Sequence, residues 1–285
     1  MTVPAPTATR ESPLATTITR ANTLTDWCEV SLHLPPPGTP TSSAPAFPAP
    51  SGSGSTPTPG WTVTEALLSS PAGFTSWRAE LAIWLREHYG DAPERTTGGY
   101  VMSWYLSTVG LLGGTLFHLA RRVPSLRPAD VAIRVGTTGR PHVVGVALLT
   151  DEFACLPDDP ARDHPSATVV ADDQALAALL RARFAAHAAR FVTTFGPMVR
   201  FGRRQLWAAA TDALDSAAWN AGQLCGDEAA GVADAALLLP DKTAPFTSAS
   251  TLRATGTGWT RRRESCCFHF ALPDAEVCAT CPRQG

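Results

Sequence analysis

Lysine is all but missing from this chain of 285 residues: of its 23 basic residues only Lys242 is a lysine, against 25 acidic residues. The formal net charge of −2 excludes the strong positive field on which nucleic-acid binding rests. With abundant Ala, Gly and Pro, the arginine bias reflects a GC-rich genome and not phosphate recognition. No Gly-x-Gly-x-x-Gly follows a strand and no Walker loop is present, so the chain is expected to lack its own nicotinamide site. Met1 to Pro13 holds no apolar stretch that could act as a secretory signal, so a cytoplasmic location without a disulfide framework is expected. Long apolar runs are scarce as well. The one candidate, Thr96 to Ala120, is uncharged but diluted by five glycines, several Ser and Thr, and His118. It reads as a buried core helix, broken near Gly113-Gly114, with no stable membrane insertion; a membrane span is the alternative.

What is there is concentrated in thiols. Three of seven cysteines, Cys28, Cys155 and Cys225, are scattered singly, whereas Cys266 and Cys267 are adjacent and are followed, ten residues later, by Cys278-x-x-Cys281. Four thiols gathered in a reducing compartment point to a bound metal, either a structural zinc ion or an iron–sulfur cluster. Only Cys278 to Cys281 has the knuckle spacing of a zinc ribbon. Neighbouring side chains on extended backbone point to opposite faces, so Cys266 and Cys267 need a special turn to share a site. A [2Fe-2S] rhomb is larger and offers ligand positions on two irons, which favours the cluster.

The segment RRRESCCFHFALP at residues 261–273, followed by CATCP at 278–282, resembles the C-terminal motif of the FhuF-like ferric-siderophore reductases. Gly202-Arg-Arg-Gln-Leu-Trp207 is similar to the helix that precedes the cluster domain in that family, and Val123-Pro to Arg134 shares its character. The resemblance extends over residues 61 to 285 and is carried by the last 25. It implies that Cys266, Cys267, Cys278 and Cys281 each ligate a [2Fe-2S] cluster. The implied activity is one-electron reduction of siderophore-bound Fe(III), of hydroxamate type, with electrons from an external donor such as a ferredoxin or a flavin reductase. No catalytic side chain beyond the cluster is expected, since electron transfer needs proximity and a tuned potential, not a proton-handling triad. Two rivals stay open: a zinc-stabilised siderophore-binding module without redox activity, and a [2Fe-2S] electron carrier or redox sensor with a protein partner.

Candidate contacts to chelate or donor lie around the cysteines. Arg261, Arg262 and Arg263 could tune the potential, dock an acidic donor or meet an anionic chelate, or could simply be a solvated patch. Arg203, Arg204 and Trp207 are candidates for a chelate pocket, with packing as the plain reading of Trp207; Trp259 joins them. His269 shares a face with Cys267 and mimics half of a Rieske signature, but the second Rieske histidine would fall at Cys281, so His269 reads as a neighbour of the site and not a ligand. His88 and His187 read as histidines of the core edge and the core.

The fold expected is α+β, mostly helical, with a small antiparallel β element and a C-terminal [2Fe-2S]-binding segment. Residues 1–60 form a largely flexible N-terminal region, 61–255 the body and 256–285 the cluster-binding segment. Residues 35 to 60 hold nine prolines among Ser, Thr, Gly and Ala and read as a linker. Before it, a short helix around Trp27 within Ile18–Leu34 is expected to pack on the body. Further helices are expected over 65–70 with Thr64 as N-cap, 76–89 ended by Gly90, 172–195 with Asp172 as N-cap, 203–224 and 227–239. Val131–Val135 and Val143–Leu149 read as an antiparallel pair, and 259–271 as an extended run into the cluster loop.

Overall fold

In the computed structural model, which describes residues 12–24, 28–34 and 60–284, the N-terminal elements are a helix α1 (Pro13–Leu24) and a strand β1 (Glu29–Leu32). Of the stretch 18–34 in which a helix is expected, residues up to Leu24 are helical and Glu29–Leu32 form a strand. Leu14 and Ile18 of α1 are buried in the main core, so this segment does pack on the body. Trp27, the first eleven residues and the proline-rich stretch 35–59 lie outside the described residues.

The chain resumes with β2 (Trp61–Val63), α2 (Thr64–Ser69), α3 (Ala72–Tyr89) and α4 (Glu94–Ala120). Thr64 does not cap α2: the helix is entered from Val63 in extended backbone, and the Thr64 hydroxyl donates instead to the Pro128 carbonyl at 2.8 Å. Gly90 ends α3 as expected, at φ 77° with its N–H on the Arg86 carbonyl. The uncharged run is the central helix α4, continuous through Gly113 and Gly114, and no helix among the described residues is long and apolar enough to cross a membrane.

Beyond α4 come β3 (Val123–Pro124), β4 (Val131–Val135), β5 (Val143–Leu148), β6 (Phe153–Cys155) and β7 (Ala167–Val169), then α5 (Asp173–Phe195), α6 (Arg203–Leu224), α7 (Glu228–Leu238), β8 (Leu252–Thr255) and β9 (Gly258–Arg261). Asp172 caps α5 by accepting from the Ala175 amide at 2.8 Å. The β4–β5 pair is antiparallel, as its two valine-rich runs require, and a four-stranded sheet grows around it in the order β1-β5-β4-β2. Its outer strand β1 runs parallel to β5, so the sheet is mixed.

The glycines of α4 explain why it is unbroken. A Cβ on Gly110 would lie 3.0 Å from the Ala213 carbonyl oxygen, and one on Gly114 would lie 2.5 Å from the Ala217 Cβ. Both partners belong to α6, and the contacts advance together along the two sequences, so α4 and α6 run side by side in the same direction at close approach. Glycine is used here for contact, and its helical cost of about 1 kcal/mol per residue is offset by burial against the neighbouring helix. His187 of α5 is the satisfied core histidine expected, 1% exposed, bonded to the Leu126 carbonyl and the Tyr105 hydroxyl.

Candidate metal centre

The cysteine-bearing loop is held by the first turns of α4 and by α6. Asp212, buried in mid-α6, accepts from the amides of Glu264 and Ser265, both at 2.8 Å, and from the Ser265 hydroxyl. Gln205 donates its side-chain amide to the Cys266 carbonyl at 2.8 Å, and the Thr96 hydroxyl donates to the Phe268 carbonyl at 2.9 Å. Gly99 supplies the space: a Cβ there would sit 2.5 Å from the Cys267 carbonyl oxygen. The special turn that adjacent cysteines require is present at Phe268, which adopts φ 59°. Left-handed backbone at a bulky residue is strained and persists because its surroundings fix it. Its amide lies 3.3 Å from the Cys266 sulfur, and the chain then enters a short 3-10 turn, His269–Ala271, so the extended run expected over 259–271 stops with β9. On the other side, the Arg263 amide bonds the Thr280 carbonyl at 3.1 Å, and a tight turn bonds the Cys281 amide to the Cys278 carbonyl at 2.9 Å.

These contacts bring the four thiols together. Cys281 lies near both Cys266 and Cys278, and Cys278 near Cys267. All four are free of disulfides; Cys266 and Cys281 are buried, Cys267 and Cys278 half-buried. Burial pushes the Cys278 thiol up to about 11, with the nearby Cys267 and Cys281 adding to it, and burial likewise raises Cys266 against the Phe268 amide. Among the described residues no group of three or more His, Cys, Asp or Glu side chains is gathered closely enough to hold a metal ion. Four cysteines in one loop region, two shielded and two accessible, match in chemistry the four-cysteine donor set of a [2Fe-2S] centre.

The surroundings favour negative charge. α4 and α6 both present their N-terminal turns to the loop, and the positive ends of their dipoles suit a thiolate centre. The three consecutive arginines separate by face. Arg262 is exposed and donates to the Pro282 carbonyl. Arg261 and Arg263 turn inward to Asp212, at 3.9 and 3.7 Å. Burial lowers the Arg261 pKa. For Arg263 burial works in the same direction but is outweighed by Asp212 and by the Cys267 and Cys278 thiols, which raise it. The Arg263 Nε is buried without a hydrogen-bond partner among the described residues and lies 3.7 Å from the Asp212 carboxylate. His269 does not turn to the sulfurs: its Nδ1 meets the Tyr100 hydroxyl, and its ring stands edge-on to Tyr89.

Between α4, α6 and this loop lies a cleft of about 340 Å³ with Cys267 in its wall. Arg261 and Arg263 line it, and so do Ser103 and Ser107 of α4 and Ser216 and Asn220 of α6. Of the other residues singled out in the sequence, Trp207 is 4% exposed and packs edge-on against Phe246 in the core, as its plain reading held. Arg203 and Arg204 are exposed at the start of α6, in the same turn as Gln205 but not in the cleft, and Trp259 is half-buried on β9. Sequence reasoning passed over Asp212, Gln205, Thr96, Gly99 and the cleft serines. A signal existed: Asp212, Ser216 and Asn220 recur at i, i+4, i+8 on an Ala-rich helix, and Ser103 and Ser107 at i, i+4 on one with no Asp, Glu, Lys or Arg after Arg95.

Residues 263–283 match a family model described as the FhuF 2Fe-2S C-terminal domain. No curated protein and no solved structure matches the chain. The match spans both cysteine pairs, the turn at Phe268 and the backbone hydrogen bond from Arg263 to Thr280, and it favours the iron–sulfur cofactor over zinc. Over that segment the chain is similar to the FhuF 2Fe-2S C-terminal domain, and the clustered C-terminal cysteines support a [2Fe-2S] cofactor.

Proposed function

We propose that this protein is a ferric-siderophore reductase, with Cys266, Cys267, Cys278 and Cys281 as the cluster ligands. The observation that carries the reading is the cleft with Cys267 in its wall, because a carrier serving only a protein partner has no use for a concave site beside its redox centre. When bound, the cluster supplies one-electron oxidation–reduction chemistry. Cys266 and Cys281 form the shielded side, Cys267 and Cys278 the accessible one, and Arg263 offsets the thiolate charge next to the latter pair. Asp212 and Gln205 fix the loop, and the Phe268 amide donates to Cys266. The balance is simple. A reduced external donor, a ferredoxin or a flavin enzyme, loses one electron and the chelated Fe(III) gains it; no bond is made and no proton need move. Ferrous iron is held far less tightly by a siderophore, so reduction is the release step. A cytoplasmic location, where thiols stay reduced, belongs to the same proposal.

The test is the visible and reduced-state EPR spectrum of anaerobically purified protein, with iron and acid-labile sulfide measured on the same sample, followed by addition of a ferric trihydroxamate to the reduced protein. Two irons and two sulfides per chain, and re-oxidation by the chelate, are expected. A reduced protein that the chelate leaves reduced overturns the reading.

A further inference from the structure

The residues between Cys267 and the far end of the cleft have no work to do for the thiols. The cleft runs along α6 from Asp212 to Asn220, about 12 Å at the helical rise of 1.5 Å per residue. Elsewhere α4 and α6 meet through glycine and alanine, but this face carries hydroxyl and amide groups. Near the loop they are spent: Ser103 accepts from Arg263, and Ser216 donates to the Asp212 carbonyl. Farther along they are not: the Ser107 hydroxyl and the Asn220 amide make no hydrogen bond among the described residues. Trp104 and Trp219, both half-buried, stand on the two walls, and Trp219 is fixed by its indole N–H on the Glu228 carboxylate at 2.9 Å. Free hydroxyl and amide groups between oriented aromatic rings form a site for a polar organic ligand, and the volume is that of a small-molecule pocket.

We propose that the α4–α6 cleft is the docking site of the ferric chelate, with Ser107 and Asn220 bonding the amide and hydroxamate oxygens of its backbone and Trp104 and Trp219 packing on its methylene arms. The placement rests on the reductase reading and adds to it the residues that select the substrate. Ser107 donates to carbonyl oxygens, and Asn220 both donates and accepts, the pattern an amide-rich chelate offers. Arg261 and Arg263 close the inner end, so the chelate's iron-bearing side is turned toward Cys267.

The experiment uses the gallium(III) complex of a linear trihydroxamate, which binds without being reduced, titrated into full-length cluster-bound protein and followed by tryptophan fluorescence. Wild type binds with quenching. Ser107→Leu and Asn220→Leu each weaken binding about tenfold or more while the visible spectrum of the cluster is unchanged. Asn220 is exposed, so its variant folds even if the half-buried Ser107 tolerates leucine poorly. Wild-type affinity in Asn220→Leu, or no binding by wild type, overturns the site. The two proposals fail separately. Gallium chelate lost in the variants, with no re-oxidation of reduced wild type by the ferric form, keeps the site and ends the reductase reading; re-oxidation with variant affinities unchanged does the reverse.

Discussion

Asp212 accepts from both the amide and the hydroxyl of Ser265, at 2.8 and 2.5 Å, one residue ahead of the cysteine pair. A carboxylate in the interior of a helix, 5% exposed, is costly to bury unless its lone pairs are filled. Here the Glu264 amide and the Arg261 and Arg263 guanidinium groups complete the set.

Asp212→Asn keeps the shape, removes the charge opposite two arginines and places an NH₂ against groups that donate. Breaking a buried pair of this kind costs about 3 kcal/mol or more. Iron and sulfide per chain are expected to fall to less than about half of wild type under identical reconstitution. Asp215→Asn, one turn along, is the control: Asp215 holds the amide and hydroxyl of Thr251, so its loss lowers stability but leaves the cluster loaded. Full iron and sulfide in Asp212→Asn would show that the carboxylate is only structural ballast for α6.

Two glycines of one helix separate the site from the fold. Gly99→Ala drives a methyl to 2.5 Å from the Cys267 carbonyl oxygen and 2.9 Å from its carbon, atoms of backbone that cannot swing aside. Gly114→Ala drives one to 2.5 Å from the Ala217 Cβ. Overpacking of this order costs about 1–3 kcal/mol. Gly99→Ala is expected to lose most of the visible absorption of the cluster while its far-UV circular dichroism stays native. Gly114→Ala is expected to melt earlier and keep its colour. The opposite pattern would mean that the loop adapts and the α4–α6 contact does not.

Serine at any of Cys266, Cys267, Cys278 or Cys281 is expected to abolish the wild-type cluster spectrum, and serine at Cys28, Cys155 or Cys225 to leave it unchanged. Burial pushes the Cys28 thiol up to about 12, so it carries almost no thiolate at pH 8 and resists iodoacetamide in the native protein. Visible spectra of the seven serine variants check the first statement, and mass mapping of the sites alkylated in the native protein checks the second. A normal spectrum in one of the four C-terminal variants would remove that residue from the ligand set.

The parts of this protein legible in sequence were those written in local pattern. The helices over 173–195 and 203–224 announce themselves by period and, for the first, by the Asp172 cap; the β4–β5 pair by two valine-rich runs; the centre by the spacing of its thiols. What was not legible depends on distance. Thr64 looked like a cap because it precedes an apolar run, but its hydroxyl is taken by Pro128 across the fold. Gly113-Gly114 looked like a break because glycine weakens an isolated helix, and only the presence of Ala217 turns the same residue into a contact. Asp212 was passed over, since its partners lie 49 to 53 residues away.

His187 supplies a pH dependence that belongs to the body and not to the centre. Its Nδ1 faces the Leu126 carbonyl at 2.7 Å, which can only accept, so Nδ1 carries the proton and Nε2 is left to accept from the Tyr105 hydroxyl at 2.7 Å. Burial drives its pKa down from 6.5 to about 4, with the Leu126 carbonyl opposing. A histidine depressed in the folded state binds its proton first in the unfolded chain. Its contribution is therefore whole above pH 6.5 and is lost as the pH falls from there toward 4, at about 1.4 kcal/mol per pH unit. Between pH 6.5 and 5 the loss is about 2 kcal/mol. Asp159 and Asp234, held below the usual carboxylate range with arginine partners, surrender theirs only at lower pH, whereas Glu80, raised by burial, acts weakly in the opposite sense. Urea midpoints at pH 7, 6 and 5 for wild type and His187→Gln isolate the effect, because every shared titration cancels in the difference. The glutamine variant is expected to be less stable at pH 7 and to lose less on acidification, so the two curves converge toward pH 5. Parallel curves would mean that His187 is protonated in the fold at no cost, which its two filled ring nitrogens and 1% exposure forbid.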